Sequence, residues 1–172
     1  MLIDCSYFTD GPRHIQNATL CTPGKMPNPN AEEVNGAIEA YIRKFQKPFL
    51  KGVVGAPTAG AIMSYLKLID MDEHEERDEA LDMVLEQLRE PFANYVFYKI
   101  LRDANSQATM TGLVRLKCAN TYVAPLRRQV SAWNDMVDMI ADFSEWCKTS
   151  DCNVSGITVD SNFLTKINAL NL

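Results

Sequence analysis

A chain of 172 residues, 47% hydrophobic and 23% charged, is long enough to bury roughly 70% of its unfolded surface around one core without help from metals or disulfides. The hydrophobic fraction excludes a disordered tail, and no apolar run approaches the ~18 residues of a membrane span. A net charge of -5, from 22 acidic against 17 basic residues, argues against a protein whose main task is gripping phosphate backbones.

In chain order, residues 1–30 read as an irregular N-terminal arm. Pro12, Pro23, Pro27 and Pro29, with Gly11 and Gly24, break any helix, while Ile3, Cys5, Tyr7 and Phe8 suggest a short extended piece. Asn30 reads as an N-cap with Glu33 completing a capping box. Val34, Ile38, Tyr41, Ile42, Phe45 and Phe49 then recur at helical spacing, which predicts a first helix over 31–51. The turn 52–57, with Gly52 or Gly55 as the C-terminal cap, leads to a second helix over 58–70. After an acidic run over 70–79 the pattern predicts a third helix over 76–89. Pro91 either interrupts that helix or opens a fourth, over 91–104, in which Phe92, Tyr95, Phe97 and Tyr98 imply burial on more than one face. Between 105 and 123 the helical period fails and a hairpin or loop is expected. A fifth helix over 125–147 carries Val130, Trp133, Val137, Ile140 and Phe143 as a stripe, and 149–172 reads as an extended C-terminal arm. The expected fold class is mainly α: one domain, a bundle of about five helices over 31–148 with a mid-chain hairpin or loop and non-helical arms.

The chain opens with an acid at Asp4 and no apolar run behind it, unlike a secretory signal. The five cysteines, Cys5, Cys21, Cys118, Cys147 and Cys152, are odd in number and unpaired in spacing, which fits reduced thiols in a cytosol.

Sites of familiar chemistry fail on their spacing. Gly55 to Gly60 has the glycines of a phosphate-binding loop, but Ala61 and Ile62 stand where Lys and Ser/Thr must be. The acids around His74 lack the glycine and glutamate of a calcium loop, Glu75 and Leu81 occupying those places. Cys147 and Cys152 lack nearby histidine or cysteine co-ligands for zinc. His14 and His74 are the only histidines, and neither is set in a catalytic pattern. The reading is therefore a non-enzyme without cofactor or metal. Arg115, Lys117, Arg127 and Arg128 gather around Tyr122, as on an ordinary surface or a protein interface.

Seven stretches occur in order along the chain. They are Ile3-Asp4-x-Ser6-Tyr7-Phe8, Tyr41-Ile42-x-x-Phe45-x-x-x-Phe49-Leu50, Val53-Val54-Gly55, Tyr95-Val96-Phe97-Tyr98-x-Ile100-Leu101-Arg102, Thr109-x-Thr111-Gly112, Val130-x-Ala132-Trp133-Asn134-x-Met136-Val137 and Phe163-Leu164-x-x-Ile167-Asn168. Together they resemble the small helical head–tail connector (adaptor) proteins of tailed bacteriophages, of the kind found in phages and prophages of Bacteroides-type bacteria.

The resemblance implies a structural virion protein of the neck, made in the bacterial cytoplasm. Its implied partners are itself, as a ring on the twelve-fold portal, then the portal protein, and a neck or tail-completion protein on the tail side. It implies no membrane, and DNA only as passing cargo. Apolar residues in non-helical segments must be covered, either by the chain's own core or by neighbouring subunits. The candidate interface residues are accordingly Thr109, Leu113, Val114, Arg115, Leu116, Tyr122, Arg127, Phe163, Leu164, Ile167 and Leu170. The alternative is a cytoplasmic helical enzyme or regulator using His74 and its acids around a small ligand.

Overall fold

A computed structural model describes residues 1–19, 29–70, 78–103, 126–149, 152 and 154–168, and the backbone of 106–109 and 112–115. The fold is mainly helical. Four α-helices are present among the described residues: α1 (Pro29–Val54), α2 (Ala56–Asp70), α3 (Glu79–Asp103) and α4 (Leu126–Trp146). The expected count of five is corrected here, because the third and fourth expected helices are one continuous 25-residue α3 with Pro91 inside it. Proline removes one donor and crowds the turn before it, yet Pro91 is buried in the core and the carbonyl it frees belongs to exposed Gln87. Tertiary packing outweighs the local cost. Pro48 also lies inside α1, but it is exposed, as is Lys44, whose carbonyl it frees.

α1 begins at Pro29, one residue earlier than the expected cap at Asn30, using the preset φ of proline in the first turn. Ile38, Ile42, Phe49 and Val53 form its buried stripe. It ends at Gly55, whose φ of +81° supplies the left-handed step that turns the chain into α2. α3 is capped by Asp78, whose Oδ1 accepts the Leu81 N–H at 3.1 Å. Every residue of α3 from Pro91 to Phe97 is buried, as its aromatic surround implies. α1 and α3 run antiparallel. Tyr41 donates to Asp103 at 3.2 Å, Phe45 meets Tyr95 edge-on with centroids 6.0 Å apart, and Phe49 lies 5.0 Å from Phe92. α4 covers the remaining side of α3 with Met136, Val137, Ile140 and Phe143. Between α3 and α4 the backbones β1 (Ser106–Thr109) and β2 (Gly112–Arg115) pair antiparallel, with Ser106 opposite Arg115 and Thr109 opposite Gly112.

The N-terminal arm departs from the extended form expected of it. It makes two short 3-10 turns, Cys5–Phe8 and Gly11–Arg13, and buries Leu2, Ile3 and Phe8 in the core. Arg13 pins it to α3, pairing with Glu90 at 2.7 Å and donating to Asn94 Oδ1 at 3.0 Å. Asn35 on α1 holds its far end, donating to the Thr19 carbonyl at 2.9 Å and accepting the Thr19 N–H at 3.3 Å. No helix among the described residues is long and apolar enough to cross a membrane.

Candidate functional site

The C-terminal arm crosses the α1–α2 junction and then follows α4. Both glycines of that junction make room for it. A Cβ on Gly52 would stand 2.2 Å from Phe163 Cε2, and one on Gly55 would stand 2.7 Å from the Thr158 hydroxyl. The Gly52 carbonyl accepts the Asp160 N–H at 2.7 Å. Asp160 then opens a 3-10 turn, Ser161–Leu164, by accepting the Asn162 N–H at 2.9 Å.

That turn aims Phe163 into an aromatic cluster built by three helices. Its ring lies 5.7 Å from Phe49 of α1, 5.6 Å from Tyr95 of α3 and 6.3 Å from Trp133 of α4, near enough for edge-to-face and offset packing. Beyond Phe163 the arm is tied by polar groups. Trp133 Nε1 donates to the Thr165 carbonyl at 2.9 Å, and Lys166 pairs with Asp138 at 2.7 Å. Asn134 Nδ2 donates to the Ile167 carbonyl at 3.1 Å while Asn134 Oδ1 accepts the Ile167 N–H at 2.9 Å. One side-chain amide thus satisfies both backbone groups of an extended residue, as a neighbouring strand would.

The same aromatic cluster continues to a cationic end. Lys99 of α3 lies half-buried with its Nζ 4.8 Å from the centroid of Tyr95, 5.4 Å from Phe45 and 5.5 Å from Tyr98. Lys44 shares the Phe45 ring at 5.1 Å. Burial pushes the Lys99 pKa down, and the nearby positive charges of Arg102 and Lys44 push it the same way against Asp103. Cation–π contact replaces part of the lost hydration. Asp103, which pairs with Arg102 at 3.1 Å, is the carboxylate whose charge acts on Lys99.

Where α4 gives way to the arm, Cys147 and Cys152 line one open cavity with Ser144, Val154 and Ile157. Burial, followed by the adjoining Cys152 thiol, pushes the Cys147 pKa up to about 12, so this thiol is a poor nucleophile near neutral pH. Among the described residues no three His, Cys, Asp or Glu side chains are grouped to hold a metal ion.

Of the expected interface residues, Phe163 and Ile167 are half-buried against their own chain, whereas Leu164 faces outward with 42% of its surface exposed. Arg127 is exposed at the start of α4. Thr109, Leu113, Val114 and Arg115 lie on the paired strands, of which the structure describes the backbone. Leu116, Tyr122 and Leu170 fall outside the described residues, as do His74, Cys21 and Cys118. Sequence reading missed the roles of Asn134, Gly52 and Lys99. An amide that mimics a strand looks like any polar helix residue, and a lysine ringed by aromatics becomes visible only once α1 and α3 are paired. Comparison with protein-family models, with curated proteins and with solved structures finds no match.

Proposed function

We propose that the chain is a structural connector of the phage neck, forming a ring between the capsid portal and the tail. The ring is built from the helical body, and the strand-bearing segment and the C-terminal arm provide contacts to neighbours. The reading places the protein in the virion after synthesis in the bacterial cytoplasm. The finer architecture that goes with it, a bundle carrying a mid-chain hairpin as a contact element, belongs to the same proposal.

The observation that carries it is the manner in which the arm is held. Fixing the eight residues 160–167 costs on the order of 10 kcal/mol in backbone entropy. Partial burial of Phe163 and Ile167, the hydrogen bonds and the ion pair together return about as much. A segment held by so small a margin on a rigid three-helix groove can leave it for an equivalent groove on a neighbour, the low-cost route by which identical subunits assemble. The seven ordered motifs that resemble phage connectors support the same reading.

The test is recovery of partners. A tagged chain expressed during phage production in its host should co-purify in fixed stoichiometry with a portal or other neck protein, and removal of residues 161–172 should reduce that recovery. A chain recovered without virion proteins, or with a bound metabolite, overturns the reading.

A further inference from the structure

Past the last turn of α4 the backbone doubles back on itself. The Thr149 N–H donates to the Trp146 carbonyl at 2.9 Å, and the Cys152 N–H donates to the Thr149 carbonyl at 3.4 Å. Two such turns in succession return the chain towards the helix it has just left. Cys147 and Cys152 thereby line one open cavity of about 550 Å³, together with Val154 and Ile157. Both thiols are free and partly buried. The Cys152 thiol donates to the Val154 carbonyl at 3.7 Å and stands within hydrogen-bonding reach of the Cys147 thiol. Cys5 is engaged elsewhere, its thiol donating to the Asn35 carbonyl of α1 at 3.5 Å.

We propose that Cys147 and Cys152 form a redox modification site, a dithiol that closes to a disulfide by exchange with a small disulfide compound. The bond staples the root of the C-terminal arm to the end of α4. The inference goes beyond the connector reading and does not rest on it.

A structural cysteine is inert when it is sealed among apolar side chains with no second sulfur in reach. Here a second sulfur and an opening to solvent are both present. The S–S bond requires an approach to about 2.05 Å, and rotation about χ1 moves an already adjoining thiol by that order. The cavity has the size of a small-molecule site. Burial, followed by the Cys152 thiol, holds the proton on Cys147, so Cys152 opens the exchange.

The Cys152 thiolate attacks one sulfur of the external disulfide, whose S–S bond breaks and releases one thiolate with the bonding pair. Cys152 in the mixed disulfide carries no charge, which lifts its share of the resistance to ionising Cys147. Cys147 then gives its proton to solvent, and its thiolate attacks the Cys152 sulfur and expels the second thiolate. In sum the two cysteines lose two protons and two electrons, and the external disulfide becomes two thiols. A reducing cytosol runs the exchange backwards, whereas oxidising surroundings close the bond.

Closure acts on the arm. Val154, Ile157 and Val159 pack against the core just beyond Cys152 and lead to Asp160, whose N–H is held by the Gly52 carbonyl. The bond keeps the start of that path on α4 even when its far end lets go.

The experiment incubates the reduced full chain with oxidised glutathione, followed by peptide mass mapping without reduction. Trypsin cuts after Lys148, between the two cysteines, so closure leaves peptides 129–148 and 149–166 joined until a reductant is added. That joined pair is expected. Cys147→Ser should stop at the mixed disulfide and retain one glutathione on Cys152, whereas Cys152→Ser should leave Cys147 unmodified. The oxidised wild type should melt several degrees higher than the reduced chain, with slower amide exchange over 154–160, and a reductant should reverse both.

Glutathione that stays on Cys152 of the wild type overturns the inference, as does pairing of either cysteine with Cys5, Cys21 or Cys118. Peptides that remain separate and unmodified overturn it too. A bond that forms without change in melting temperature or exchange removes the staple. Recovery of virion partners is a separate readout and bears on the connector reading alone.

Discussion

Asn134 and Ile167 exchange two hydrogen bonds, 3.1 and 2.9 Å long, through one side-chain amide and one peptide unit. Asn35 and Thr19 do the same at 2.9 and 3.3 Å. Each arm of the protein is therefore fastened to a helix by an asparagine acting as a single rung of a β-ladder. A glutamine would carry the same groups one methylene too far out, and an aspartate would lack the donor.

Asn134→Ala removes both bonds at once and leaves the arm's backbone to water. Because the arm is held by a small margin, the expected effect is local undocking, with little change in global stability by urea denaturation. Amide hydrogen exchange at 163–168 should accelerate well beyond that of α3. Unchanged exchange there would show that the arm is held by Phe163 alone.

Gly52→Ala separates two effects of opposite sign. In a helix, alanine is favoured over glycine by about 1 kcal/mol. Here the added Cβ would stand 2.2 Å from the Phe163 ring, and such overpacking costs about 1–3 kcal/mol. The net effect is destabilising in the wild-type background. In a Phe163→Ala background the clash is gone and Gly52→Ala becomes stabilising. A double-mutant cycle reads this reversal directly, and additive effects would mean that ring and glycine do not meet.

Arg13→Ala removes the Glu90 ion pair and strips buried Asn94 of the donor to its Oδ1. Leaving a buried acceptor unsatisfied costs about 1–3 kcal/mol, so the melting temperature should fall by several degrees. Arg13→Lys should recover part of this at most, because an ammonium cannot address a carboxylate and an amide with one planar fork.

The Cys147 thiol, raised to about 12 from an ordinary value of 9.0, gives a pH signature. Between those values the unfolded chain has lost this proton while the folded chain retains it. The contribution to stability is thus complete below pH 9 and declines as pH rises towards 12. In the native protein Cys147 should resist iodoacetamide at pH 8.5 and be labelled promptly in urea. Peptide mass mapping distinguishes the two, and rapid native labelling would place the thiol in solvent.

The sequence was legible where one face repeats. The stripe of Ile38, Ile42 and Phe49 in α1 and the aromatic run from Phe92 to Phe97 in α3 announce helices, and their burial follows. Pro91 misled because the local penalty of proline is small beside the packing of seven consecutive buried residues. Gly55 was legible as a cap, whereas the role of Gly52 was not, since the ring it accommodates lies more than a hundred residues away. Of the arm's apolar residues, Phe163 and Ile167 are half-buried on their own chain while Leu164 is exposed. What covers Phe163 is a meeting of three helices, a relation that no local window contains.

The seat of Phe163 also imposes an order of events on the growing chain. Phe49, Tyr95 and Trp133 come from three helices made earlier, and the ring that lies against all of them is synthesised after every one. Until residue 163 has left the ribosome the cluster keeps an open aromatic notch, ready for any extended segment that carries a phenylalanine.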